Sequence, residues 1–129
     1  MDDALRCAIE ADVGARITTA VRVHGGDVAL AYAVELEDDR RVFAKTHPSS
    51  PPGFFTTEAR GLSWLRAANA VAVPEVLAVS DDPPNHLVLE WIDEGRARPS
   101  TERDLGVGLA RMHGAGAPTF GRDDRRTTG

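Results

Sequence analysis

Two apolar periods alternate along this chain, and the switches between them outline its elements. In residues 3 to 12, DALRCAIEAD, the apolar positions Leu5, Ala8 and Ile9 recur at helical spacing, with Asp2 or Asp3 as a cap and Gly14 as a stop. A short helix is predicted there. The next stretch, ITTAVRVHGGDVALAYAVELEDDRRVFAKTH, is rich in β-branched residues with glycine or acidic punctuation, which predicts strands at 17 to 23, 28 to 36 and 41 to 46. Their joints, at Gly25-Gly26-Asp27 and at 37 to 40, are short, so the strands should run antiparallel.

The prolines and glycine of THPSSPPGFF end the third strand in a loop. Beyond it, Phe55, Leu62 and Leu65 return to helical spacing and predict a helix over 53 to 69, with Pro51 or Pro52 tolerated in its first turn. PEVLAVS and HLVLEWI read as a fourth and a fifth strand, parted by the turn DDPPN. In the last segment Leu105, Leu109 and Met112 mark a helix over 101 to 113, with Ser100 or Thr101 to cap it and Gly114, Gly116 and Pro118 to end it. The tail GRDDRRTTG has too few apolar residues to pack. The order is helix, three strands, helix, two strands, helix, an α+β arrangement.

With 129 residues, the chain can form one domain or one lobe of a larger enzyme. A formal charge of -5 excludes broad binding to nucleic acid or to an anionic membrane, because no basic stripe is available to neutralise phosphates. The basic clusters Arg40-Arg41 and 122 to 126 are both mixed with acidic residues. A single cysteine, Cys7, allows no internal disulfide, and no C-x-x-C or closely spaced histidine pair offers zinc a site. No run approaches the ~18 apolar residues of a spanning helix, and the N-terminus lacks the basic start of a secretory signal. The cytoplasm is the expected compartment.

Candidate chemistry centres on VFAKTH. Alternation on a strand puts Phe43 and Lys45 on one face and Val42 and Ala44 on the other, so the ammonium lies beside an aromatic ring where a lowered dielectric strengthens its pull on an anion. Glu58, 13 residues on, falls in the first turns of the second helix, from which its carboxylate can reach Lys45. Gly25 and Gly26 lack β-carbons, so their amides can approach a phosphate. Each feature also has a plain structural reading: a solvated strand-end lysine, an acid favoured by the helix N-terminus, a hairpin turn chosen for its geometry. Trp64 and Trp91 read first as packing residues, and His113 as a helix-end residue favoured by the dipole.

Taken together, the order of elements and the stretches GGDVALAYAVEL, VFAK, FFTTEARGLSWLRA, VPEVLAV, LVLEWI and LGVGLARMHGAGAPTFG resemble the fructosamine kinase (ketosamine kinase) family. The resemblance covers about residues 17 to 121. Its fold is similar to that of aminoglycoside and choline phosphotransferases: a protein-kinase-like small lobe with a five-stranded antiparallel sheet, followed by a large helical lobe. The resemblance implies ATP-dependent phosphorylation of a ketoamine sugar hydroxyl. It also implies that Lys45 contacts the α- and β-phosphates, with Glu58 as its ion-pair partner. Gly25, Gly26 and Asp27 would form the phosphate-side turn, Phe43 would line the site, and the hinge at 89 to 92, with Glu90, Trp91 and Ile92, would read the adenine edge.

The catalytic carboxylate and magnesium ligands of such enzymes reside in an H-G-D-x-x-x-x-N loop, which does not occur here, and in an Asp-Pro motif that follows it, whereas the one Asp-Pro pair here, Asp82-Pro83, sits in the turn DDPPN. Residues 1 to 93 are thus expected to be the ATP-binding lobe, 94 to 121 the connection with a first helix toward the large lobe, and 122 to 129 a tail. No catalytic or metal-binding residue is assigned, and magnesium is expected only with the other lobe. A homodimer or a partner supplying that lobe would cover the apolar face of the last helix. The sequence leaves open an aminoglycoside- or choline-type acceptor, and a non-catalytic module that retains the fold for binding.

Overall fold

The computed structural model describes residues 1–24 and 29–116. Eight elements follow one another as α1 (Asp3–Val13), β1 (Ile17–Val23), β2 (Leu30–Leu36), β3 (Arg41–Thr46), α2 (Phe54–Ala67), β4 (Val76–Ser80), β5 (His86–Glu90) and α3 (Thr101–Gly114). Their order is the one that the periodicity predicts. The strands form a single antiparallel sheet in the order β1-β2-β3-β5-β4, so β5 inserts between β3 and the edge strand β4.

Side-chain alternation divides the sheet into two apolar faces. One carries Tyr32, Val34, Leu36, Val42, Ala44 and Val88 and is covered by Leu5 and Ile9 of α1. The other carries Phe43, Leu87 and Leu89 and is covered by Phe55, Ala59 and Leu62 of α2. Both helices lie against β4 and β5, one on each side. On the α2 side, no helix among the described residues packs on the β1–β2 half of the sheet.

Local chemistry explains the helix limits. The Asp2 carboxylate accepts the Leu5 amide at 2.8 Å, and Gly14 closes α1 in the left-handed conformation. Two further contacts tie α1 to the strand it precedes: the Ile17 amide donates to Glu10 at 2.7 Å, and Arg6 donates to the Ile17 carbonyl at 2.8 Å. On the same face of the sheet, the buried ring of His86 lies 2.9 Å from the Asp12 carboxylate of α1 and 2.8 Å from the Pro84 carbonyl oxygen.

Several expectations need correction. Pro51 and Pro52 lie ahead of α2 rather than in its first turn, and the Pro51 carbonyl accepts the Phe54 amide. Gly53 takes the N-cap position with φ +78, a conformation that needs its missing β-carbon, and it has no side chain with which to cap. Leu65 sits off the Phe55–Leu62 stripe and is exposed. The fifth strand stops at Glu90, leaving Trp91 and Ile92 beyond it. Neither Ser100 nor Thr101 caps α3 through its side chain; the Thr101 hydroxyl instead accepts the Arg98 amide. Pro118 and the tail lie outside the described residues, as does the turn at Gly25, Gly26 and Asp27.

Helix α3 meets the rest of the molecule at Gly108, where a β-carbon would come within 2.6 Å of Val71 and 3.2 Å of the Ala70 carbonyl. Leu105, Val107 and Leu109 remain exposed.

Because Phe55 is fully buried at the centre of the α2 face, Phe55→Ala should destabilise the chain by about 3–5 kcal/mol in chemical denaturation. Leu65→Ala, on the exposed side of the same helix, should change stability by less than ~1 kcal/mol.

Candidate functional site

The α2-side face of the sheet carries the residues that the sequence singles out. Strand register builds two rows across it. Val23, Ala31, Lys45 and Leu87 stand side by side in one, and Val21, Ala33, Phe43 and Leu89 in the next. Alanines at the middle positions keep this surface low between β1 and β3, while Val21 is 56% exposed at its margin. The result is an apolar floor carrying one cation.

That cation is held. Lys45 Nζ donates to both carboxylate oxygens of Glu58, at 2.7 and 2.8 Å, and the two side chains are only partly exposed, at 23% and 28%. Glu58 lies one turn into α2, one turn beyond Phe54 and Phe55, so the burial of Phe55 sets the depth at which the carboxylate meets the strand. A bidentate pair of this kind fixes the ammonium in one rotamer. Its net contribution to stability is small at a half-exposed site, so orientation is its main physical effect. Lys45 is also the chain's only lysine, all other positively charged side chains of the Lys/Arg type being arginine. A compact ammonium suits a point contact with an anion where a broad planar fork would not fit.

At the other end of the floor, Trp91 emerges from β5. Its ring lies 6.4 Å from that of Phe43, tilted by 45°. The guanidinium of Arg41, on the Phe43 and Lys45 side of β3, lies 3.9 Å from the Trp91 ring centre, and the indole N–H donates to Asp93 at 3.0 Å. One face of the indole is therefore already occupied by a cation. Trp91 serves as a wall held in place, and Phe43 as the ring beside it.

Glu90 is committed to the sheet edge. Its amide donates to the Glu75 carbonyl at 2.9 Å, and its carboxylate accepts the Glu75 amide at 3.1 Å and lies 3.5 Å from Arg66 of α2. Ile92 is 54% exposed just past it. Lys45 and Glu58 thus gather at one end of the floor and Phe43 and Trp91 at the other, with Ile92 just past Trp91, while the Glu90 side chain turns to the edge strand.

Residues that sequence reasoning passed over also support the site. Asp81 and Asn85, in the β4–β5 turn, bond to the segment between Lys45 and Glu58. Arg41 was visible only as half of a charged dipeptide. A count of lysines would have singled out Lys45. Nothing in a linear reading marks Asp81 or Asn85, because their partners lie 25 or more residues away. Among the described residues no group of three or more His, Cys, Asp or Glu is placed to hold a metal ion, and no helix is long and apolar enough to cross a membrane.

Comparison with known proteins gives a consistent result. A family model described as fructosamine kinase matches residues 1–129. A probable ketoamine kinase of Enterococcus faecium is 37% identical over 102 residues, covering 78% of this chain and 35% of its own length. One from Synechocystis is 29% identical over 116 residues, covering 88% of this chain and 39% of its own. The chain therefore spans little more than a third of the length of these relatives. Among solved structures, a candidate fructosamine-3-kinase from Thermobifida fusca superposes with a TM-score of 0.80 at 29% identity, over 95% of this chain and 43% of that one. A Haemophilus somnus protein shares the fold, with a TM-score of 0.72 at 20% identity over 93% of this chain and 40% of that one. With its five-stranded antiparallel sheet and its helix-borne glutamate paired to a strand lysine, the chain has the small-lobe architecture of a kinase-like fold and belongs to the fructosamine kinase family.

Proposed function

We propose that this chain is the ATP-binding lobe of a ketoamine-directed phosphotransferase, with residues 1 to 93 forming the nucleotide site and 94 to 121 the connection to the substrate-bearing part. The observation that carries this reading is the bidentate Lys45–Glu58 pair at the edge of an apolar floor. A nucleotide presents an apolar base at one end and a polyanion at the other, and this surface has the same polarity. Lys45 would meet the α- and β-phosphates while Glu58 keeps it from swinging into solvent. Phe43 would pack on the base. The main chain at Trp91 and Ile92 would take its polar edge, since the Glu90 amide is already bonded to the Glu75 carbonyl just ahead of β4.

The reaction itself requires more than these residues supply. Phosphoryl transfer to a sugar hydroxyl needs a carboxylate to accept the proton and ligands for magnesium, which compensates the charge on the phosphates. The H-G-D-x-x-x-x-N loop that would provide the first of them is absent from the sequence, and its one Asp-Pro pair, Asp82-Pro83, lies in the β4–β5 turn rather than after such a loop. By itself the chain should bind ATP weakly and leave a ketoamine unphosphorylated. The ketoamine assignment is supported by family membership and by the names of its relatives.

Isothermal calorimetry of the folded chain at millimolar ATP should show binding that Lys45→Ala removes; a folded chain with no heat would refute the nucleotide reading. A second measurement addresses the pair alone. Glu58→Ala should raise the rate at which an amine-reactive ester modifies Lys45 by about two- to fivefold, the change expected for ~0.5–1 kcal/mol of lost interaction, as read by peptide mass mapping.

A further inference from the structure

Lys45 and Glu58 are joined by a proline-rich connection that has no regular structure between Thr46 and Phe54. A loose connection would let strand and helix drift apart, and with them the ammonium and the carboxylate. The turn between β4 and β5 grips that connection at both ends. At the β3 end, the Thr46 hydroxyl donates to the Asn85 carbonyl at 2.7 Å, the His47 amide donates to the Asn85 side-chain oxygen at 3.1 Å, and the Asn85 amide group donates to Ser50 at 2.8 Å. At the α2 end, Asp81 takes the place of the side-chain cap that Gly53 cannot provide. Its carboxylate accepts the Phe55 amide at 2.9 Å, the Thr56 amide at 3.3 Å and the Thr56 hydroxyl.

We infer that Asp81 and Asn85 are positioning residues for the Lys45–Glu58 pair, acting as a two-point clamp that sets the spacing between strand β3 and helix α2. Neither touches the pair. The inference follows from which atoms are held: Asp81 fixes the first turn of α2, one turn before Glu58, and Asn85 fixes the first residues after Lys45. Directly after Asn85, β5 places Leu87 beside Lys45 in the sheet, so the clamp and the floor of the site are parts of one rigid strand-turn unit. A carboxylate also suits the helix N-terminus electrostatically, which makes Asp81 a better holder than a neutral side chain.

Because Lys45 is the only lysine, its ammonium gives one unambiguous signal in a chain labelled at lysine with carbon-13 and nitrogen-15. In the wild type at low temperature, the ammonium protons should exchange slowly with water, and Glu58→Ala should abolish that protection. Asp81→Ala and Asn85→Ala should each speed the exchange by about five- to tenfold while circular dichroism shows the fold retained, and Asp81→Asn, which keeps an acceptor for Phe55, should restore much of it. If Asp81→Ala fails to fold, Thr56→Val, which deletes only one hydroxyl contact with Asp81, must still show a smaller acceleration. Folded variants with wild-type exchange would overturn the clamp.

The ATP arm of the experiment rests on the proposed nucleotide site, with affinity expected to fall in parallel with ammonium protection. Loss of ATP binding only in Lys45→Ala, with Asp81→Ala and Asn85→Ala unaffected, would sink the clamp and leave the nucleotide reading standing. Protection that follows the clamp in a chain that never binds ATP would do the reverse.

Discussion

A single ammonium held by a single carboxylate gives this fold its direction. Two opposite charges from different elements, a strand lysine and a helix glutamate, meet at hydrogen-bond distance only if sheet and helix are packed in one relative position. The Coulombic gain at a half-exposed site is modest and does not hold the fold together. The dependence runs the other way: Phe55, buried against Leu87 and Leu89, seats the helix, and the pair reports that it is seated. The fold thus converts apolar packing into the orientation of one polar group.

The two faces of the sheet divide the work. On one, α1 closes an apolar core and is fastened by Glu10, Arg6 and the Asp12–His86 contact. On the other, α2 packs on the β4 and β5 side, and no described helix packs on β1 or β2 there. That asymmetry leaves the floor beside α2. Small alanines between larger neighbours, and a tryptophan steadied by Arg41, then give it an apolar end and a cationic end.

Helix α3 follows different rules from the other two. It touches the body at Gly108, where only a hydrogen fits against Val71, and it keeps Leu105, Val107 and Leu109 exposed. An amphipathic helix with its apolar residues in water is incomplete in energetic terms.

Elements and faces were legible in the sequence because they depend on local periodicity: the order of eight elements, the antiparallel joints, and the placing of Phe43 and Lys45 opposite Val42 and Ala44 all follow from spacing alone. Glu58 was legible in the sequence as an acid within reach of Lys45 from the first turns of the second helix, but a separation of 13 residues does not by itself imply contact, and the family resemblance was what named it as the partner. What the tertiary structure alone decided are the contacts made across the chain. Asp81 caps a helix that starts 27 residues before it, Asn85 holds the exit of β3, and Arg41 covers one face of Trp91. A side chain's local sequence records its preferred conformation but not which distant backbone groups will need a partner, and that need arises only once the sheet has assembled.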